Sequence, residues 1–484
     1  MPNREYKQTG EKILGDILTP SSIVFFGASN NPMTFGTGQF LNIINEYRRN
    51  VYPIHPKEEE IFGVKAYKKV EDTPEDADLA IMVLPTHLVP KFLACCGEKG
   101  IKRAIIISAG FKEVGEVDLQ NEIISIAKKY GIRFLGPNCI GICNAYENLN
   151  TTWIPYFPKK GGISIVSQSG TFACHPFPYF IENGIGIDKS ISVGNEADID
   201  IVDCLEYLED ESNTKAIAMY IEGIKRGGKF IEVARRVNKK KPIVVLYVGG
   251  TEAGSRAGKS HTSALSGPDH VYDAVFKQCG LIRAYNIEEL FDYSLALASQ
   301  PLPKEGRIGI LTDSGGSGAV MADTCERMGL NVPTLSEDTQ NEIRSIVPSI
   351  ATVTNPIDIT TDFDVSHFYV EIPEILLKDP SIDGILLYGL FGPSIFKRFF
   401  KSAKTEIDGL MPMYLTMLDE LLNLCERYRK PVLASSFIGR RDEEVVAYFQ
   451  DHDVPVYPSP ERAAKAMSAL VEYSRAKRKE KSDR

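Results

Sequence analysis

Residues 163–173, ISIVSQSGTFA, and 308–319, IGILTDSGGSGA, share one pattern: an apolar run, a turn of Ser and Gly, then small residues that suit a helix. A continuous apolar run reads as a strand covered on both faces, the situation of a parallel sheet sandwiched by helices. A Ser/Gly turn leading straight from such a strand into a helix is the joint of a βα unit. Two copies far apart in one chain predict two like α/β domains.

Working outward, 215–223 (KAIAMYIEG) and 242–250 (PIVVLYVGG) read as further strands after the first copy, and 286–299 (NIEELFDYSLALAS) as a closing helix. The segment 299–306, SQPLPKEG, brings two prolines and a glycine together and marks a linker. After the second copy, DGILLYGL (383–390) and KPVLASSF (430–437) are strands, and SPERAAKAMSALVEYSRAK (459–477) is a helix. Upstream, the runs SIVFFG (22–27), VYPI (51–54), LAIMVLP (79–85), RAIIIS (103–108) and IRFLG (132–136) alternate with helical stretches such as 38–49 and 119–130. The chain is therefore α/β throughout. The expected domains are 12–146, a doubly wound Rossmann-like domain, then 158–300 and 304–476.

Composition agrees with that size. At 484 residues, 43% hydrophobic and 25% charged, the chain can fill about three cores of ~150 residues. Its formal charge of -9 argues against nucleic acid as a partner, because phosphate neutralisation needs clustered Lys and Arg. No apolar run approaches the ~18 residues of a membrane helix, and the opening MPNREYKQTGEKILGD lacks the apolar core of a signal peptide. A cytoplasmic protein without a membrane partner is the expectation. The nine cysteines form no CxxC pair, so we read buried reduced thiols, with neither a disulfide framework nor a metal site.

Both Ser/Gly turns are candidate anion sites, because a helix N-terminus presents unpaired N–H groups and partial positive charge. The candidates are Ser167, Gln168, Ser169 and Gly170 in one, and Ser314, Gly315, Gly316 and Ser317 in the other; an ordinary serine-capped turn is the alternative for each. The first domain has a Gly-rich turn after its first strand, FFGASNNPMTFGTG (25–38), without the GxGxxG spacing. After its second strand, where a nicotinamide-dinucleotide enzyme places an acidic residue, it has His55, Pro56 and Lys57. That disfavours a dinucleotide-dependent oxidoreductase. Lys57 either meets an additional phosphate or simply starts a surface loop. His261 lies in GGTEAGSRAGKSHTSALSG (249–267), which has five glycines in nineteen residues and almost nothing to pack. Many isolated histidines have no role; one on such a loop, in a chain with two candidate anion-binding turns, suits a transient phosphoryl carrier, since neutral imidazole is nucleophilic. His175 is set aside because a proline follows it and no glycines flank it.

Taken together, GASNNP (27–32), YPIHPKEEEIFG (52–63), VLPTHLVP (83–90), ISAGFKE (107–113), LGPNCIG (135–141), SQSG (167–170), GNEADID (194–200), YIEG (220–223), EAGSRAGKSHTSALSG (252–267), DSGGSG (313–318) and NPIDIT (355–360) resemble the α subunits of ADP-forming acyl-CoA synthetases, of the succinyl-CoA synthetase superfamily. The resemblance implies a CoA-binding Rossmann-like domain followed by two flavodoxin-like ligase domains. It implies that His261 is the phosphorylated histidine and Glu222 its orienting carboxylate, although Glu222 can also be read as the cap of a Gly-rich turn. Ser167, Ser169 and Gly170, with Ser314, Gly315 and Gly316, would hold phosphate. Gly27, Ser29, Asn30 and Lys57 would bind the nucleotide part of CoA, and Pro85, Thr86, Ser108, Ala109, Gly110 and Asn138 would line the path of its pantetheine arm. Asn355, Pro356 and Asp358 would approach the substrate.

The same resemblance implies an ATP-grasp β subunit that supplies the ADP/ATP site with its Mg2+, in an α2β2 assembly. The reaction would be acyl-CoA + ADP + phosphate ⇌ carboxylic acid + CoA + ATP. A non-catalytic or regulatory CoA-binding protein of the same fold is the alternative; intact His261, Glu222 and both Ser/Gly turns weigh against it. Three stretches depart from the family pattern, the first being SHTSALSG (260–267), with serines where the family more often has glycine and alanine. TFACHPFPYF (171–180) is bulkier than the expected small-residue helix, and 391–424 is longer and more apolar, as if to reshape the acyl pocket or make a subunit contact.

Overall fold

Five short apolar runs build the first sheet. β1 (Ser22–Phe26), buried along its whole length, is flanked in parallel by β2 (Asn50–Ile54), β3 (Leu79–Met82), β4 (Arg103–Ile106) and β5 (Arg133–Leu135), in the order β2-β1-β3-β4-β5. Amphipathic helices make the crossovers. In Val117–Tyr130, Gln120, Ile123 and Ala127 face inward, and Gly131 ends the helix in the left-handed region at φ 67°, a conformation that suits glycine. The computed structural model describes residues 14–482 apart from 75–76, 255, 257–266, 361, 363, 391 and 400–408.

The second sheet has seven strands: β6 (Ile142–Asn144), β7 (Leu149–Asn150), β8 (Lys160–Ser167), β9 (Ile187–Ser192), β10 (Ala216–Ile221), β11 (Ile243–Tyr247) and β12 (Ile282–Ala284). Their order is β12-β11-β10-β8-β9-β6-β7, parallel except where β6 runs against β9 and β7 against β6. Residues 142–144, just after the first sheet in the chain, pair into the second sheet. They cover the edge of β9, whose N–H and C=O groups would otherwise lack a partner. One continuous apolar core joins the two sheets, with Phe25, Phe40 and Ile81 from one side and Val166, Ile191 and Val202 from the other.

Prolines overturn the helix expected after the SQSG turn. Thr171–Ala173 is a single 3-10 turn, and a six-residue helix begins only at Phe177. Pro176 and Pro178 supply no backbone N–H, so a helix begun at Thr171 could not run through them.

The third sheet is all parallel, β14-β13-β15-β16-β17, from β13 (Ile308–Thr312), β14 (Ile357–Asp358), β15 (Gly384–Tyr388), β16 (Val432–Ser435) and β17 (Val456–Tyr457). Here the second Ser/Gly turn leads into a regular helix, Gly315–Arg327, with Ser314 at its N-cap position. Within the 391–424 stretch the helix Met411–Tyr428 turns Tyr414, Leu418, Leu421 and Leu424 into the core of this domain. The chain divides into two units: residues up to Ile181 with Gly186–Tyr285, and Glu182–Ile185 with everything from Asn286. Helix Ile287–Ser299 packs on the C-terminal helix Pro460–Ser482, where Arg462 makes paired 2.7 Å hydrogen bonds to buried Asp292. All nine cysteines are free thiols; seven are buried, and Cys95 and Cys425 are half-buried.

Candidate active site

Parallel strands place all their carboxyl ends at one edge of a sheet, and that edge is where α/β proteins bind ligands. The residues expected to contact CoA leave the first sheet there: Gly27 after β1, Lys57 after β2, Pro85 and Thr86 after β3, Ser108, Ala109 and Gly110 after β4, Asn138 after β5. Gly27 has φ +103°, and a Cβ there would lie 1.9 Å from the Val83 carbonyl oxygen, so only glycine lets the two loops touch. Ser108 staples the same region, its hydroxyl accepting the Leu84 N–H at 2.9 Å and donating to the Leu84 carbonyl at 2.7 Å. Thr86 donates to the Ala109 carbonyl. Ser29 lies against Thr37, whose hydroxyl accepts its N–H at 3.0 Å. The amide of Asn30 is engaged within the protein: Nδ2 donates to Glu58 and, at 2.8 Å, to the Glu60 carbonyl, while Oδ1 accepts the Phe62 N–H at 3.1 Å. Asn30 thus fastens the hairpin Glu60–Ile61/Val64–Lys65 that follows Lys57, and Lys57 itself is exposed.

From these loops a polar chain runs into the second sheet. Glu113 accepts the N–H groups of Gly110 at 2.5 Å and Phe111 at 3.2 Å with one carboxylate oxygen. With the other it accepts Asn195 Nδ2 at 2.6 Å, and Asn195 Oδ1 accepts Asn138 Nδ2 at 3.2 Å. Lys225 donates to the carbonyls of Asn195 at 2.6 Å and Glu196 at 2.9 Å, and its ammonium stands 3.6 Å from the buried Glu196 carboxylate. Burial pushes that carboxyl up to about 7 even with the lysine beside it. The roles of Glu113, Asn195, Glu196 and Lys225 are not visible from sequence, although GNEADID marks the place.

The SQSG turn caps β8. Ser167 is buried and donates to the Ser169 carbonyl at 2.7 Å; Gly170 packs beside the Cys139–Ile140 backbone, where a Cβ would lie 3.4 Å from Ile140 N. Glu222, also buried, follows β10, the strand next to β8. Gln168 ties the two together, its Oε1 accepting the N–H groups of Glu222 at 2.5 Å and Gly223 at 3.0 Å. Phe172 stacks on Tyr220 at 4.6 Å, so the bulky residues after the turn pack against the YIEG strand. His261 lies outside the described residues. The ends of its segment are described: Val248 bonds back to the Ile221 carbonyl at 2.9 Å, beside Glu222, and Gly267 accepts the Tyr247 hydroxyl at 2.8 Å. The segment carrying His261 therefore leaves from and returns to β11, the strand beside β10, which Glu222 follows.

In the second unit, Ser314 links to Thr312 in both directions, at 2.9 Å through its N–H and 2.8 Å through its carbonyl, and Gly315 and Gly316 form the exposed first turn of the helix. This turn has acidic neighbours. Burial pushes the Asp313 carboxyl up to about 7, with Asp358 adding repulsion, and a Cβ on Gly315 would lie 2.8 Å from an Asp358 oxygen. Asn355 is committed to the edge of β13, with Oδ1 accepting the Ile310 N–H at 2.9 Å and Nδ2 donating to the carbonyls of Ile308 at 3.0 Å and Pro333 at 2.9 Å.

Three family models match in order: the CoA binding domain over residues 21–145, the succinyl-CoA ligase like flavodoxin domain over 160–297 and the ligase-CoA domain over 308–480. That succession, with Gly-rich loops on the carboxyl edge of the first sheet and Ser/Gly turns opening the other two, defines an acid–thiol ligase. The chain is 40% identical over 466 residues, 96% of its own length and 98% of the relative's, to the α subunit of acetate–CoA ligase [ADP-forming] II of Pyrococcus furiosus. It is 35% identical to the 4-hydroxybutyrate–CoA ligase [ADP-forming] of Nitrosopumilus maritimus over 95% of this chain, which spans 64% of that relative. A solved structure of a dinucleotide forming acetyl-coenzyme A synthetase 1 from Ca. Korarchaeum cryptofilum, in complex with phosphate and ADP, is similar with a TM-score of 0.85 at 34% identity, covering 97% of this chain and 98% of that one. The chain belongs to the ADP-forming acyl-CoA synthetase family, as an α-type subunit.

Proposed function

We propose that this chain interconverts acyl-CoA, ADP and phosphate with a carboxylic acid, CoA and ATP, passing a phosphoryl group from an acyl phosphate to His261. Phosphate attacks the thioester carbonyl and CoA leaves as the thiol. His261 then attacks phosphorus, releasing the carboxylate, and Glu222 orients its imidazole. Ser167, Ser169 and Gly170, with Ser314, Gly315 and Gly316 as a second anion-holding turn, would stabilise charge spread over the phosphoryl oxygens by positioning and electrostatics. CoA would lie along the carboxyl edge of the first sheet, with Lys57 as the free cation nearest its phosphates and the Pro85–Thr86 and Ser108–Gly110 loops along the pantetheine arm.

A separate ATP-grasp β subunit, in an α2β2 assembly, would carry ADP with its Mg2+. The name of the Pyrococcus relative, a subunit α, supports this division. So does the 64% coverage of the Nitrosopumilus ligase, which carries further sequence. A cytoplasmic location would suit its metabolic substrates. No helix among the described residues is long and apolar enough to cross a membrane. The acyl group is open between acetate and larger acids such as 4-hydroxybutyrate.

The observation that carries this reading is the attachment of Glu222 to the SQSG turn, next to the strand from which the His261 segment departs. Incubating the chain with acetyl-CoA or 4-hydroxybutyryl-CoA and labelled phosphate should give an acid-labile, base-stable label. His261→Asn should abolish it with CoA affinity kept. A label that persists in that variant, or no label on the wild type with either thioester, would overturn the reading.

A further inference from the structure

β10 outlives its partner. The parallel ladder between β8 and β10 ends at the Ser167–Tyr220 pair, and the last main-chain bond across it runs from Gln168 N–H to the Tyr220 carbonyl at 3.2 Å. Past that point the β8 chain turns away into Ser169 and Gly170, while β10 continues toward Glu222. On its other side β10 is still held by the segment after β11, through Val248 N–H to the Ile221 carbonyl.

The side chain of Gln168 continues the ladder on the abandoned side. Besides accepting from Glu222 and Gly223, it donates from Nε2 to the Gly223 carbonyl at 2.7 Å. A primary amide offers the same donor and acceptor as a peptide group, so the buried Gln168 stands in for the missing strand residue. Its bonds fall on two consecutive residues, one of which is Glu222. The Glu196 carboxyl interacts with the same amide.

We propose that Gln168 is a positioning residue for phosphoryl transfer: by clamping the Glu222–Gly223 backbone it holds the Glu222 side chain at a fixed place relative to the Ser169–Gly170 turn. The inference rests on the reading that Glu222 serves the transfer. Gln168 touches no reacting atom; it acts through Glu222. Because β11 keeps β10 in place, loss of the amide loosens residues 222–223 and leaves the sheet standing.

The test follows phosphorylation of the full chain by inorganic phosphate with whichever of acetyl-CoA and 4-hydroxybutyryl-CoA labels the wild type faster. Gln168→Met, similar in length but without the amide, should slow labelling by ~10- to 10²-fold, the scale on which small misplacements act, while the Kd for CoA changes less than about twofold. The double variant Gln168→Met with Glu222→Gln should label no more slowly than Glu222→Gln alone, because one residue works through the other. Wild-type labelling by Gln168→Met, in a background where Glu222→Gln is slow, would overturn the inference; so would penalties that simply multiply in the double variant. If Gln168→Met fails to fold, Gln168→Asn, one methylene short with its amide intact, should show the same slowing and the same lack of additivity. Normal labelling by Glu222→Gln itself would sink the parent reading, and this one with it.

Discussion

Glu196 is held in an uncommon backbone state, φ +50°, with its carboxyl buried between Lys225, Asp200 and the Gln168 amide. Residues kept in such states cluster where function requires an exact arrangement. Burial raises this carboxyl from its usual 4.5 to about 7, so between those values the folded protein holds a proton that the unfolded chain has lost. Protons bound in excess by the native state mean that this group's contribution to stability falls as pH rises from about 4.5 to 7. Glu196→Gln removes that titration. The pH dependence of Tm should flatten over this window in the variant relative to wild type, measured by thermal unfolding at several pH values; superimposable slopes would count against the buried, raised carboxyl. None of this can be read from the letters GNEADID, because burial and positive φ arise only when the loop closes against the CoA-domain residues Glu113 and Asn138.

Strand ends in this protein are completed by side-chain amides. Gln168 does so for β10, and Asn355 does so for β13, whose neighbour β14 is only two residues long. Asn355→Asp keeps an acceptor and tolerates the φ of +80°, yet has no N–H for the Ile308 and Pro333 carbonyls. It should destabilise the protein by about 1–2 kcal/mol, the cost of leaving partly buried carbonyls unpaired, read as a lower Tm and an earlier denaturant midpoint. The strands themselves were legible, since runs such as IVFF and PIVVLY are apolar without a break. What misled was context. The Ser/Gly turns looked alike, but Pro176 and Pro178 cut one helix short; a three-residue strand such as 142–144 carries no signature of its partner; and the amide clamps depend on parallel register between segments fifty residues apart. The site was legible as a set of loops, since parallel topology sends every strand end to the same edge, and illegible as a set of contacts.

At the scale of the molecule, the proposed division of labour predicts a chain that can be charged but not discharged. Purified alone and supplied with acyl-CoA and phosphate, it should hold the phosphoryl group and make no ATP; adding an ATP-grasp β subunit with Mg2+ and ADP should release the label as ATP. Steady ATP formation by the isolated chain, with contaminating kinases excluded, would require a nucleotide site in its own domains. The helix Ile287–Ser299 bears on how the chain can be taken apart. Family boundaries and the proline-rich stretch at 299–306 both invite a cut after this helix, but its residues Leu290, Phe291 and Tyr293 are buried and its Asp292 neutralises Arg462 on the C-terminal helix. A C-terminal piece beginning at residue 286 keeps that helix and its ion pair. One beginning at 300 would leave a guanidinium without its carboxylate and a greasy stripe open to water, and would be expected to aggregate on expression even if its sheet formed correctly.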